Sequence, residues 1–340
     1  MNKKFTPSAP KQYSTVLADR RLCTLKDCSN QYHNASVLIA IAHRNQSQEL
    51  RRSLSSALNQ TLVRRAEARI AILDDQSEEG WETAVEDLLN ESSVTLLSAE
   101  CGSPARARNQ LLDWADKQAG IQWVARLDAD DELAEINSLE TLFNEANGHD
   151  TVAVIGSNAL RIGERILPWT NRANSDELLD LTNLTAYVER FSSGTQEREL
   201  PSCNLMMKTR LGLRYPNTRS AEDHWLLCNL LIKFPKHVRT VSDPLFCIYS
   251  LGGADTTQNK QAGVWQSQRR RLSYFLQRLN LLKNTHSEIL GYGMEGIVWR
   301  QGDRIIKEFY PWAMSDSDVE RLEGLLAGPP PSIPKVSWTK

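Results

Sequence analysis

Residues 121–133 read IQWVARLDADDEL, an apolar run that closes on three aspartates, Asp128, Asp130 and Asp131. The run has the composition of a buried strand. Like charges crowded together raise one another's proton affinity and repel, so the cluster needs something cationic among its members. A divalent ion of the Mg or Mn type meets that need, because such ions take oxygen ligands and are often bound through one or two carboxylates plus the phosphates of a ligand. An extended chain would point Asp128 and Asp130 the same way. A turn would instead bring Asp130 to the metal and leave Asp128 for the ligand or a bound water. The plainer reading is a solvated acidic turn, with Asp131 as N-cap of a helix over ELAEINSLETLF.

The same rhythm runs through the segment before it. SVLIAIAHRN (36–45) is a continuous apolar run closed by polar residues, and SQELRRSLSSALNQT (47–61) is a helix with Ser47 as a plausible N-cap. ARIAILDDQS (68–77) is a second strand, followed by a helical stretch over 79–90. SVTLLSAE (93–100) and SPARARNQLLDWADKQAG (103–120) add a third strand and another helix before the stretch quoted first. Four strands alternating with helices, apolar throughout, predict a parallel sheet covered on both faces. Ligands bind outside the carboxyl ends of such strands. His43-Arg44-Asn45, Asp74-Asp75 and Asp128–Asp131 all fall there.

Beyond 150 the pattern changes. TVAVIGSNALRIGERILPW predicts a hairpin turning at Gly163, DELLDLTNLTAYVERF a short helix, and SAEDHWLLCNLLIKF a helix opened by an acidic pair. Residues 264–283 form a basic amphipathic helix with Leu272, Phe275, Leu276, Leu279 and Leu282 on one side. Such a stripe fits packing between two domains better than an anionic membrane surface. The expected organisation is a polar extension at 1–34, a main domain at 35–250, a helical linker at 251–285 and a smaller unit at 286–340.

Bulk composition narrows the classes. The 340 residues carry a net charge of -2, 41% apolar residues and 24% charged ones, an ordinary globular balance that gives no support to nucleic-acid binding. No run approaches a membrane span and the start lacks a secretory signal's apolar region, so the expected location is the cytoplasm, at most in peripheral contact with the inner face of a membrane. The six cysteines contain no CxxC pair, and reduced thiols are expected.

Each remaining cluster has two readings. Asp74 and Asp75 can accept hydrogen bonds from a nucleotide or cap the helix at 79–90. Arg106 and Arg108, two apart near a helix start, can clamp phosphate oxygens or stand as surface charges. Glu222 and Asp223 are either ordinary first-turn acids or, for Asp223, a general base. His224 and Trp225 can shape an acceptor pocket, although tryptophan at such a place is more often core.

Taken in order, VLIAIAHRN, SALNQT, ILDDQS, ARARN, LDADD and the ED of AEDHWLL resemble glycosyltransferase family 2 over about residues 36–250. The resemblance implies a GT-A fold, a mixed but mostly parallel α/β sheet flanked by helices. It implies inverting transfer of a sugar from a nucleoside-diphosphate donor to a glycan, lipid-linked or small-molecule acceptor, with Mn2+ or Mg2+ as cofactor. Ala42, His43 and Arg44, with Asp74 or Asp75, correspond to base and ribose contacts, Arg108 to a diphosphate contact, and Asp128 and Asp130 to the DxD motif, Asp130 being the favoured metal ligand. Asp223 corresponds to the base, with Glu222, His224 and Trp225 on the acceptor side. DDQSEEG replaces the family's usual DDGSTDG, and no QxxRW follows EDHW, which argues against a processive synthase. A nucleotide-sugar-binding regulator without catalysis is the competing reading.

ILGYGMEGIVWRQGDRIIKEFY (289–310) is similar to the glycine-rich loop and third strand of protein kinases. Gly291, Gly293 and Gly296 form GxGxxG, Lys307 corresponds to the strand lysine, and Glu323, or alternatively Glu320, to its helical partner. No HRD or DFG follows in the sequence, so phosphoryl transfer is not expected from this chain alone. A truncated transferase–kinase fusion and a remnant lobe with a binding role are both open.

Overall fold

The computed structural model describes residues 22–28, 32, 34–147, 150–168, 180–194, 204–251, 262–285, 287–315, 317–318 and 320. In chain order the elements are β1 (Cys23–Lys26), β2 (Val37–His43), α1 (Ser47–Leu58), α2 (Thr61–Arg64), β3 (Ala68–Asp74), α3 (Glu86–Leu89), β4 (Val94–Ser98), α4 (Pro104–Lys117) and β5 (Trp123–Arg126). Then follow β6 (Glu132–Leu133), α5 (Ser138–Ala146), β7 (Ala153–Ile162), β8 (Arg165–Pro168), α6 (Leu181–Ser193), β9 (Leu205–Lys208), α7 (Glu222–Lys233) and β10 (Val238–Leu251). The last are α8 (Ala262–Asn284), β11 (Glu288–Tyr292), β12 (Gly296–Gln301) and β13 (Arg304–Phe309).

The first ten strands form one sheet, ordered β1-β4-β3-β2-β5-β9-β7-β10-β6, with β8 hairpinned onto β7 at Gly163. Its central strands β4, β3, β2 and β5 run parallel, and β9 inserts antiparallel between β5 and β7. Alternation along β2 divides the core. Val37, Ile39 and Ile41 pack towards α1, Trp81 and α5, while Leu38 and Ala40 pack towards α4, α6, α7 and α8. Val37, Leu38, Ile39 and Ile41 are each 0% exposed, and each such side chain stabilises the fold by about 1.5–3 kcal/mol relative to exposure.

Several expectations change. The extension before 35 is not uniformly loose: β1 adds antiparallel to β4, and the buried Cys28 contacts Thr95. Gln46 rather than Ser47 holds the cap position of α1, without a side-chain bond. The helix expected over 79–90 breaks into a single turn at Trp81–Ala84 and the short α3. Asp131 caps no helix: α5 starts only at Ser138, and the Asp131 carboxylate accepts the Ser250 N–H at 2.9 Å.

The stripe on α8 is fully used. Leu272, Phe275, Leu276 and Leu279 are 0% exposed, in one core with α6, α7 and the inner face of the three-stranded sheet β11-β12-β13 through Ile297, Trp299 and Tyr310. That face is therefore not offered to a membrane surface. Among the described residues no helix is long and apolar enough to cross a membrane.

Candidate functional site

β5 ends at Arg126, and the chain then turns, with Asp131 N–H donating to the Asp128 carbonyl at 3.1 Å. Arg126 and Asp128, two apart, lie on the same side of this strand end. Arg126 Nε donates to Asp128 Oδ1 at 2.9 Å and Nη2 to Oδ2 at 2.5 Å, a bidentate pair. From the second turn of α4, Arg108 reaches Asp128 at 3.1 Å and Glu222 at 2.6 Å. Arg126 also stands 3.6 Å from Asp223. Two guanidinium groups thus join three carboxylates drawn from the β5 tip and the start of α7.

Burial sets the electrostatics. Desolvation alone would raise the Asp128 pKa, but Arg108 and Arg126 overcome it and hold the carboxyl at about 2. Desolvation acts the same way on Asp223, and the His224 ring with Arg126, Arg108 and Arg269 brings that carboxyl well below the usual range. Tyr215 lies beside both arginines, its ring 5.7 Å from Arg108 and 5.9 Å from Arg126. Asn109 pins Tyr215 in place, exchanging hydrogen bonds with its backbone N–H and carbonyl, each at 2.8 Å.

The α1 helix, from Ser53 on into the SALNQT stretch, braces the acidic loop from the other side. Ser53 Oγ donates to the Asp128 carbonyl, Ser56 Oγ accepts the Leu133 N–H, and Gln60 spans Glu135 and Leu139. These bonds satisfy backbone groups that an irregular buried loop would otherwise leave unpaired.

The other sequence candidates are dispersed. Asp74 accepts the Ser77 N–H and Asp75 accepts those of Cys101 and Gly102, so neither caps the helical stretch at 79–90, and Asp75 instead fixes the loop that leads into α4. Ala42 is half-buried and Arg44 exposed at the β2 tip. His43 turns to the opposite face of the sheet from Arg126, 4.6 Å from Trp81. Arg106 is exposed on α4. Trp225 is 1% exposed and stacks on Phe275 at 5.1 Å, so it is core, and the buried His224 meets Phe191 edge-on. Glu222 is taken up by Arg108.

The metal expectation also narrows. The cation that Asp128 needs is supplied by arginine, with both its oxygens engaged, so Asp128 does not fit a direct metal ligand. Asp131 is bonded to β10, and Asp130 stands half-buried at the strand tip. Among the described residues no group of three or more potential ligand side chains gathers. The arrangement fits only a metal held by one carboxylate with a ligand's phosphates completing the shell.

In the small sheet, Gly291, Val298 and Lys307 sit opposite one another across β11, β12 and β13, and Lys307 is exposed, 4.3 Å from the Phe309 ring. Gly293 lies between β11 and β12, its N–H bonded to the Gly296 carbonyl. Glu320 is exposed, and Glu323 lies outside the described residues.

Sequence reasoning passed over Arg126, Asn109 and Tyr215. A guanidinium interrupting an apolar strand two residues before an acid was the available signal for Arg126. Asn109 and Tyr215 are far apart in sequence and carried none.

A mostly parallel α/β sheet with an acid–arginine cluster at its carboxyl edge defines a GT-A-like protein. The chain belongs to glycosyl transferase family 2, whose model matches residues 37–211. S. aureus TarS 1-349, solved in complex with UDP-GlcNAc, is similar in structure with a TM-score of 0.52 at 17% identity, over 71% of this chain and 66% of that one. The mannosyltransferase PcManGT from Pyrobaculum calidifontis, in complex with GDP-Man and Mn2+, gives 0.49 at 14% identity over 79% and 70%. This chain thus spans just under two thirds of the TarS fragment. No curated protein matches the sequence.

Proposed function

We propose that the chain transfers a sugar from a nucleoside-diphosphate donor to an acceptor hydroxyl with inversion. The observation that carries this reading is the convergence of Arg108 and Arg126 on Asp128, beside Asp223. As the sugar leaves, negative charge grows on the diphosphate, and two preorganised guanidinium groups stabilise it without reorganising. Asp128 holds those groups in place until the donor competes for them. Asp74, Asp75, Ala42 and Arg44 stay as candidates for the nucleoside end, while His43 and Trp225 are set aside because their rings pack on Trp81 and Phe275.

Asp223 is the proposed base. Its surroundings keep it ionised, the state from which a carboxylate accepts the acceptor's proton. Mn2+ or Mg2+ held by Asp130 would supply further charge neutralisation at the diphosphate. Acceptor identity is left at the class of hydroxyl-bearing glycan, lipid-linked or small molecule, handled in the cytoplasm.

The antiparallel order β11-β12-β13 and the Gly291–Val298–Lys307 row support a kinase-like lobe at 286–340, to which we assign no phosphoryl transfer. A binding-only regulator is supported by one feature, the ion pairing that already occupies Asp223.

Thermal-shift titration with UDP-, GDP-, CDP- and dTDP-sugars tests the donor reading, since a ligand selective for the native state stabilises it in proportion to the logarithm of its concentration over Kd. One nucleotide class is expected to raise Tm, with Mn2+ strengthening the effect in wild type but not in Asp130→Ala. No stabilisation by any of the four would overturn it.

A further inference from the structure

α8 lies outside the residues matched by the family model, and its sequence reads as a linker. Its first turns do something more specific. Arg269 is 4% exposed, with its guanidinium 3.6 Å from the centre of the Trp265 ring and 5.5 Å from that of Phe191 on α6. From there Arg269 Nη1 donates to Ser220 Oγ at 3.2 Å. Ser220 is buried, and its carbonyl also accepts from Thr218 Oγ1 at 2.8 Å.

The next residue explains why such an anchor exists. Ala221 has φ +65° in the left-handed region, is 1% exposed, and occupies the cap position of α7 with no side-chain bond. A non-glycine residue there is strained and persists only where its surroundings over-determine it. Asp223 is the second residue of the helix that leaves this junction. A planar guanidinium can stack on an aromatic ring and donate sideways at once, which an ammonium cannot. The charge of Arg269 also reaches Asp223 and helps to keep it ionised.

We infer that Arg269 is a positioning residue for Asp223, locking the Ser220–Ala221 junction so that α7 presents its carboxylate to the site. The inference rests on Asp223 being the base proposed above. It makes α8 part of the transferase machinery rather than a connection between two units.

The test uses the full chain and the variants Arg269→Met, Ser220→Ala and their double. In turnover of the stabilising nucleotide sugar, kcat is expected to fall about tenfold in Arg269→Met and a few-fold in Ser220→Ala, with donor KM within about twofold. The double variant is expected to be no worse than Arg269→Met, because both act through one contact. Amide exchange at residues 222–224 should quicken in all three. An unchanged kcat in a folded variant, a loss carried by donor KM, or additive losses would overturn the inference. Should Arg269→Met fail to fold, Ser220→Ala decides. Should the wild type turn over no donor, the transferase reading fails, and unchanged exchange at 222–224 in Ser220→Ala would still sink the positioning role.

Discussion

Arg126 holds Asp128 by two hydrogen bonds, at 2.9 and 2.5 Å, while its remaining nitrogen stands 3.6 Å from Asp223. One side chain therefore ties Asp128 to the proposed base. Arg126→Ala would leave two half-buried carboxylates short of a counter-charge and should lower stability. Arg126→Lys keeps the charge but not the fork. We expect the lysine variant to fold and to lose donor turnover by about tenfold or more, as judged by Tm alongside steady-state kinetics. Wild-type rates in Arg126→Lys would remove Arg126 from the site.

His43 supplies a pH prediction. Burial, opposed by the nearby charge of Glu49, lowers its pKa to about 4, and neither ring nitrogen has a hydrogen-bond partner. The folded state binds the proton less well than the unfolded chain, whose histidines titrate near 6.5. The contribution is therefore fully present above about pH 6.5 and is lost as pH falls towards 4, by roughly 3 kcal/mol in all. Urea unfolding between pH 4 and 7, followed by tryptophan fluorescence, should show this slope, and His43→Leu should flatten it. An equal slope in the variant would assign the effect elsewhere.

The four parallel strands were legible because each is buried on both faces and so reads as an unbroken apolar run. β10 was not legible. Pro244 sits within it where the register against β7 shifts, so its pattern of period two is broken midway. β6 is two residues long and exists only because β10 offers it an edge. Motif spacing singled out Arg108, Asp128 and Asp223, which the structure brings together, but not the Arg126 guanidinium that joins the two aspartates. That depends on which strand face Arg126 takes and on where α7 begins, both set by tertiary packing. His43 and Trp225 went astray for one reason: proximity to a motif in sequence says nothing about side-chain direction.

Asp75 gives a structural test of the loop that leads into α4. Its Oδ1 accepts from Cys101 N–H at 2.6 Å and from Gly102 N–H at 3.0 Å. Asp75→Ala strands at least the buried Cys101 donor, at a cost of about 1–3 kcal/mol. Denaturant unfolding should register that loss, and Asp75→Asn, which keeps an acceptor oxygen, should lose less. Equal losses would mean that the charge, not the bond, matters.

The glycines of the small sheet separate packing from motif. A Cβ on Gly296 would overlap the Glu308 carbonyl across β12 and β13, whereas Gly291 and Gly293 have nothing within 4 Å of theirs. Gly296→Ala should lower stability by about 1–3 kcal/mol through displaced backbone, and Gly293→Ala should be close to neutral. Comparable losses in thermal unfolding would mean that the β11–β12 turn is also tightly enclosed.

Asp223, the second residue of α7, is the carboxylate proposed to take a proton from the acceptor. Asp223→Asn preserves shape and removes the basic oxygen. With the stabilising nucleotide sugar, Mn2+ and an acceptor in hand, release of nucleoside diphosphate by the variant should fall about 100-fold or more, the contribution typical of a general base, while donor-induced Tm elevation persists. Turnover at the wild-type rate in a folded Asp223→Asn would contradict the account.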